Sequence, residues 1–320
     1  MTSRILVTGG AGYIGSVIVD QLLHRGHAVV VLDDLSTGHR QAVPRGAGLV
    51  HGNVGNRELV EALLERERIE AIIHLAAFAL VAESVAQPQK YVTNNVTAGR
   101  VLLEAAVRAK VRRFVFSSSC AVYGHPATIP ITEDTPQRPV NPYGETKRDF
   151  EKLLAEAGPP QGMGVVSSEL RGEDHDPETH LIPNVLAAAL GKRPLEIYGT
   201  DYPTGDGTAV RDYVHVADIA DAHLRALDVK LDGGAALAVN LGTGAGRSVR
   251  EVITAARSVA GRDVPTVERP RRPGDPPELV AAVSRAATVL GWRAMHSSLE
   301  GILGSAWRWH QAHPHGYRGG

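Results

Sequence analysis

The sequence predicts an α/β fold: a doubly wound parallel sheet with a smaller C-terminal lobe. Three observations carry this. Short runs rich in Val, Ile and Leu alternate with helical stretches through the first half of the chain, the pattern of repeated strand–helix units with right-handed crossovers. A glycine-rich turn, Gly-Gly-Ala-Gly-Tyr-Ile-Gly at 9–15, sits where the first strand meets the first helix. After residue 158 the alternation loosens and Gly, Pro and Asp gather in loop-like stretches. The division that follows is a Rossmann-type domain over 1–167, to which 208–246 also contributes, and a second lobe made of 168–207 and 247–320.

The elements follow in order. Arg4–Thr8 is continuously apolar after its first residue, as a strand buried on both faces must be. Residues 15–25 form a helix with Ile18, Val19, Leu22 and Leu23 on one side. A strand at 28–32 runs into Asp33 and Asp34, and an amphipathic helix at 58–67 leads to a strand at 71–75. A helix at 94–110, a strand at 113–117 and a helix at 143–157 complete the first unit. Gly158-Pro159-Pro160-Gln161-Gly162 is a turn or linker, and 199–207 and 269–277 are loops. Helices are expected at 183–190, 216–227, 249–259 and 284–290. Trp307 and Trp309 lie two apart and cannot share a helix face, so one packs and the other is exposed. The polar tail from 310 to 320 is expected to fray.

Composition removes several classes of function. A net charge of −1 over 320 residues offers no basic surface for nucleic acid or an anionic membrane. No apolar run approaches the roughly 18 residues that span a bilayer, and no signal-peptide pattern precedes the first strand. The single cysteine, Cys120, precludes an internal disulfide and suits a reducing cytosol, so a cytoplasmic location is expected. Cys120 itself reads as a small packing residue. His175 and His180 lack the further ligands a metal site requires, and no metal is expected.

Gly9, Gly12 and Gly15 recur at three-residue spacing between a strand and a helix. Glycines there let the backbone turn tightly and approach a phosphate, and the helix N-terminus offers free N–H groups and partial positive charge. Asp33 follows at the end of the second strand, the position from which a carboxylate accepts hydrogen bonds from an adenine ribose. Its charge repels a 2′-phosphate, so the expected cofactor is NAD rather than NADP.

A second constellation lies at 141–147, Asn-Pro-Tyr-Gly-Glu-Thr-Lys. Tyr143 and Lys147 are four apart and share one helix face. A tyrosine, ordinarily titrating near about 10, becomes a base near neutrality when a cation favours its phenolate. Ser117-Ser118-Ser119 follows a buried strand at its carboxyl end, where sheets of this kind place their sites, and a serine there can hydrogen-bond a reacting sugar oxygen.

These residues resemble the extended short-chain dehydrogenase/reductase family, most closely its nucleotide-sugar epimerase branch. The resemblance runs to about residue 292. It includes Asn-Asn-Val at 94–96, Val-Tyr-Gly at 122–124, His-Asp-Pro-Glu-Thr-His-Leu-Ile-Pro at 175–183, Val-Arg-Asp-Tyr-Val-His-Val at 210–216, Asn-Leu-Gly-Thr-Gly at 240–244 and Arg-Arg-Pro-Gly-Asp at 271–275. It implies epimerisation at C4 of a UDP-hexose. Tyr143 would take the proton of the sugar 4-hydroxyl, Ser119 would orient that oxygen, and Lys147 would bind the nicotinamide ribose and favour the phenolate. Tyr13, Ile14, Val54 and Asn94 match cofactor positions. Asn53 stands where an aspartate commonly meets adenine. Arg211 and Arg272 match arginines that grip the UDP diphosphate, for which a guanidinium fork is suited. Asp275 and His180 fall on the substrate side, and Leu279 near the sugar pocket. A homodimer built on the helices at 94–110 and 143–157 is also implied, although their apolar stripes fit burial within one chain equally well.

The sequence departs from the family after Val165-Val166-Ser167. By the family pattern, about nine residues of a central strand and its turn are absent near Ser168, against the short loops usual in such folds. This motivates a second reading, a homologue that binds NAD and nucleotide without turnover, beside a third, another epimerase or reductase of the same superfamily. A 4,6-dehydratase would need an acid/base pair beside Ser119, which Ser118-Ser119-Cys120 does not supply.

Overall fold

The computed structural model describes residues 2–157, 178, 180–229, 236–272, 274–314 and 316–319. The shortened segment near Ser168 and His175 lie outside the described residues. The core is a five-stranded parallel sheet in the order β3-β2-β1-β4-β5. Its strands are β1 (Arg4–Thr8), β2 (Ala28–Asp33), β3 (Gly48–His51), β4 (Ala71–His74) and β5 (Arg113–Phe116). The expected strands at 71–75 and 113–117 end one residue early, but their ladders continue through Leu75 N–H to Thr8 O and Ser117 N–H to His74 O, each 3.0 Å. The edge strand β3 was not anticipated: its residues are only half-buried or exposed, so its sequence lacks a continuous apolar run.

Helix α1 (Tyr13–His24) starts two residues before its predicted position. Helices α2 (Arg57–Arg66), α3 (Val81–Ala86), α4 (Pro88–Tyr91), α5 (Gly99–Arg108) and α6 (Pro142–Ala157) follow. The predicted helix at 94–110 is in fact α5 preceded by a wide π-helical stretch, Val92–Ala98. One sheet face packs on α2, α5 and α6 through Leu63, Leu102, Phe114 and Phe150, all at most 2% exposed. The other face packs Ile5, Val7 and Ile73 against α1 and, from the later chain, α8 (Val216–Asp228).

The second lobe carries α7 (Leu181–Ala189) and α9 (Val249–Ala260), with the parallel strand pair β6 (Leu195–Tyr198) and β9 (Thr266–Arg269). A small sheet joins β7 (Val210–Arg211), β8 (Arg247–Ser248) and β10 (Glu278–Leu279). Helices α10 (Ser284–Val289) and α11 (Leu299–Ala312) close the chain order. Val185, Leu186, Val252, Leu303 and Trp307 form this lobe's own core. Ala286, Leu290 and Trp292, assigned to the lobe, join the sheet-side core, and the Trp292 indole donates to Asp218 O at 2.9 Å.

The tail is a further correction. Helix α11 runs through to Ala312, and 316–319 form a short 3-10 turn. Trp307 packs, as expected of one of the pair, but Trp309 is half-buried against His313 rather than exposed, their rings stacked 4.9 Å apart.

Candidate active site

The strand order reverses between β1 and β4, so a crevice opens at their carboxyl ends. The glycine turn forms its floor. Gly9 has φ +72°, and a Cβ there would lie 2.7 Å from Ala76 N. A Cβ on Gly15 would lie 2.1 Å from Gly9 O, so the helix can start against the turn only with glycine. Gly12 is the N-cap of α1 and supplies no side-chain acceptor, and no acidic residue occupies the first turn. The amides of Tyr13, Ile14 and Gly15 therefore face a site unneutralised by the protein's own side chains, which suits a pyrophosphate.

Asp33 is 7% exposed at the end of β2. Burial raises its pKa above the ordinary carboxylate value, against the lowering effect of hydrogen bonds from Ala11 N–H and Leu35 N–H, both 2.9 Å. Each oxygen retains a lone pair for a ribose hydroxyl. Asn53 donates to Asp34 at 2.9 Å and accepts from Gly55 N–H at 2.8 Å, while Val54 is buried beneath it. These features fit a dinucleotide: a cradle that only glycine backbone leaves open, a free helix terminus and a buried carboxylate hydrogen-bonded to the turn.

The motif at 141–147 acquires a local explanation residue by residue. The Asn141 side chain accepts from Gly144 N–H at 2.9 Å and so caps α6. Pro142 is its first residue, where no N–H is needed. A Cβ on Gly144 would lie 2.5 Å from Ala121 O, so glycine lets α6 press against the turn that follows Ser119. Ser119 is half-buried, and its hydroxyl caps that turn by accepting from Ala121 N–H at 3.2 Å. Lys147 is 4% exposed; its ammonium donates to Ser117 O at 2.8 Å and lies 5.8 Å from the centre of the Tyr143 ring. Tyr143 and Lys147 on α6 and Ser119 in the turn that α6 packs against thus lie at one end of the sheet.

Residues that pattern reading assigned no role complete the arrangement. Asn95, 4% exposed on the π-helical stretch, accepts from Phe78 N–H at 2.9 Å and donates to Phe78 O at 3.0 Å and to the Thr146 hydroxyl at 3.1 Å. Thr146 in turn donates to Tyr143 O at 2.8 Å. Asn95 therefore ties the strand-end loop to the helix that presents the tyrosine. Asn94, expected at the cofactor, is half-buried and donates to Asn95 at 3.1 Å. His74 is buried, with its ring against Phe116 and Phe150 and Nδ1 2.6 Å from the Thr8 hydroxyl. Burial, and then the nearby Lys147 charge, push its pKa down to about 3, so it is a neutral bridge from β4 to the start of the glycine turn. Both asparagine and threonine lay inside quoted motifs, but their mutual contacts span 51 residues and carry no local periodicity.

On the lobe side, a cleft is lined by Cys120 and Tyr123 from the turn after Ser119, by Arg211 and by Leu279. Cys120 is buried among Val122, Tyr123, Ile131 and Leu279, in the packing role expected for it. Arg211 pairs with Asp275 and donates to Pro276 O at 2.9 Å. Arg272 lies over the Tyr198 ring at 3.9 Å, in the same loop as Asp275. His180 is the N-cap residue of α7, and its ring contacts Glu178 at 2.8 Å. Among the described residues no group of three or more His, Cys, Asp or Glu could hold a metal ion.

The profile of the NAD dependent epimerase/dehydratase family matches residues 5–242. The chain belongs to this family. Its sequence is 47% identical to the UDP-glucose 4-epimerase of Lactobacillus helveticus, across 98% of this chain and 99% of that one. The structure of UDP-glucose 4-epimerase from Brucella ovis in complex with NAD superposes with a TM-score of 0.90 at 42% identity, covering 96% of this chain and 98% of that one. The Bifidobacterium longum UDP-glucose 4-epimerase, in complex with NAD+ and UDP, gives 0.91 at 35% identity, covering 98% of this chain and 100% of that one. The fold expected from sequence, an extended short-chain dehydrogenase/reductase, is the fold observed.

Proposed function

We propose that this family member catalyses NAD-dependent epimerisation at C4 of a UDP-hexose, interconverting UDP-glucose and UDP-galactose. The observation that carries the reading is the placement of Tyr143 and Lys147 on one face of α6, with Ser119 in the turn against which that helix packs. Tyr143 removes the proton of the sugar 4-hydroxyl and later returns it. Lys147, fixed by Ser117 O, lends the positive charge that favours the phenolate. Ser119 holds the reacting oxygen. Gly9, Gly12, Tyr13, Ile14, Gly15, Asp33, Asn53, Val54, Asn94 and Lys147 hold the cofactor. The chemistry supplied by bound NAD is reversible hydride transfer at C4. Arg211, Arg272, Asp275 and His180 hold the nucleotide-sugar, the arginines at its diphosphate.

The protein is taken to be a cytoplasmic homodimer. No helix among the described residues is long and apolar enough to cross a membrane. Val81, Val85 and Val92 are exposed on α3 and the π-helical stretch, beside α6, and support an interface there. Sedimentation of the purified protein at the monomer mass would remove the dimer.

The test is incubation with UDP-galactose, with and without added NAD, following UDP-glucose. The expected result is product formation that falls about 10²- to 10⁴-fold in Tyr143→Phe. A folded wild-type protein that binds NAD and forms no product would replace this reading with binding alone.

A further inference from the structure

The end of the chain reaches from the lobe to the cofactor crevice. Helix α11 is rooted in the lobe core by Leu303 and Trp307. Beyond it, His313 stacks on Trp309, and Lys192, just past α7, donates to Pro314 O at 3.1 Å. Gly316 N–H then bonds His313 O at 3.0 Å and the chain turns, with Gly316 at φ +62°. The turn delivers Tyr317 to the opposite domain. Its ring centre lies 4.9 Å from that of His39 and 5.6 Å from that of Trp309.

His39 belongs to the loop that leaves Asp33 and lies on the glycine turn. Its N–H donates to Ala11 O at 2.9 Å, and a Cβ on neighbouring Gly38 would lie 2.9 Å from the Ala11 carbonyl carbon. Tyr317 therefore reaches the ribose-side rim of the crevice through its contact with His39.

We infer that Tyr317 is a cofactor-positioning residue: packed between Trp309 of the substrate lobe and His39, it fastens the 34–39 loop over the dinucleotide crevice and slows the departure of NAD. The inference rests on NAD occupying that crevice. A fastening of this kind suits a reaction in which the cofactor is regenerated in every cycle and has no need to leave.

The experiment loads the full-length protein with etheno-NAD and measures its release on dilution into excess NAD. In Tyr317→Ala release should be about 3- to 10-fold faster, the loss expected for an aromatic contact. Tyr317→Phe, which keeps the ring, should release near the wild-type rate. His39→Ala should accelerate release as well, and the double variant should gain little over either single one, since both remove the same contact. Wild-type release from a Tyr317→Ala protein with a lowered Tm would make the tail a structural element only and overturn the inference, as would full additivity with His39→Ala. A wild-type protein that takes up no etheno-NAD would overturn the cofactor site itself, a result distinct from unchanged release.

Discussion

The Lys147 ammonium is buried and donates to the main-chain carbonyl of Ser117, 2.8 Å away and 30 residues earlier in the chain. This single bond pins the helix that carries Tyr143 to the strand end that carries Ser119. The geometry predicts that Lys147→Met lowers kcat with UDP-galactose by about a hundredfold or more. Raising the pH should restore part of that rate, because the unassisted phenol ionises near about 10. A flat pH profile in the variant would remove the electrostatic role.

His74 makes stability fall in mild acid. Its pKa is held near about 3, well below the ordinary value near 6.5, by burial and then by Lys147. Between these values the unfolded chain binds a proton that the native protein does not, so stability rises with pH through this window and is level above it. His223, buried and pushed down to about 4, adds in the same direction. Urea unfolding at pH 7.5 and 5 should differ by about 2 kcal/mol for each histidine. His74→Gln should remove its own share of that difference, about 2 kcal/mol, and an unchanged difference would contradict the buried neutral state.

Asn95→Ala strips the hydrogen bonds from both main-chain groups of Phe78 and from Thr146. The expected loss is about 2–3 kcal/mol of stability, measured by chemical unfolding. With Thr146 released, Tyr143 is less well placed, so kcat should fall more than KM changes. Asn95→Asp keeps an acceptor for Phe78 N–H but sets a buried carboxylate oxygen against Phe78 O, so it should rescue neither.

Of the two arginines proposed to hold the diphosphate, Arg211 is the better buried, with 11% of its side chain exposed. Arg211→Met should raise the KM for UDP-galactose about 10- to 100-fold, the range for a charge-assisted hydrogen bond, with a smaller change in kcat. An unchanged KM would move the diphosphate away from β7.

Much of the nucleotide-binding half was legible before any coordinates. The strands β1, β2, β4 and β5 announce themselves because burial on both faces demands continuous apolar runs, and α6 because Tyr143 and Lys147 sit one helical turn apart. Edge strand β3 was not legible, since half its surface faces solvent and its identity depends on pairing with β2. The π-helical stretch was not legible either. Its helical periodicity is present, but the wider turn is fixed by what Asn95 binds.

The sequence by itself determined the chemistry available: a glycine turn that admits phosphate, a ribose carboxylate, a tyrosine with a lysine on its face, and arginines in the later loops. Tertiary structure decided the placements. Lys147 meets Ser117, Asn95 meets Thr146, and Arg211 meets Asp275, 64 residues on in the chain. It also turned an expected frayed tail into a contact between Tyr317 and His39. Local spacing reports which side chains share a face of one element. Which faces then meet depends on crossovers and packing over the whole chain, and no short window of sequence contains that information.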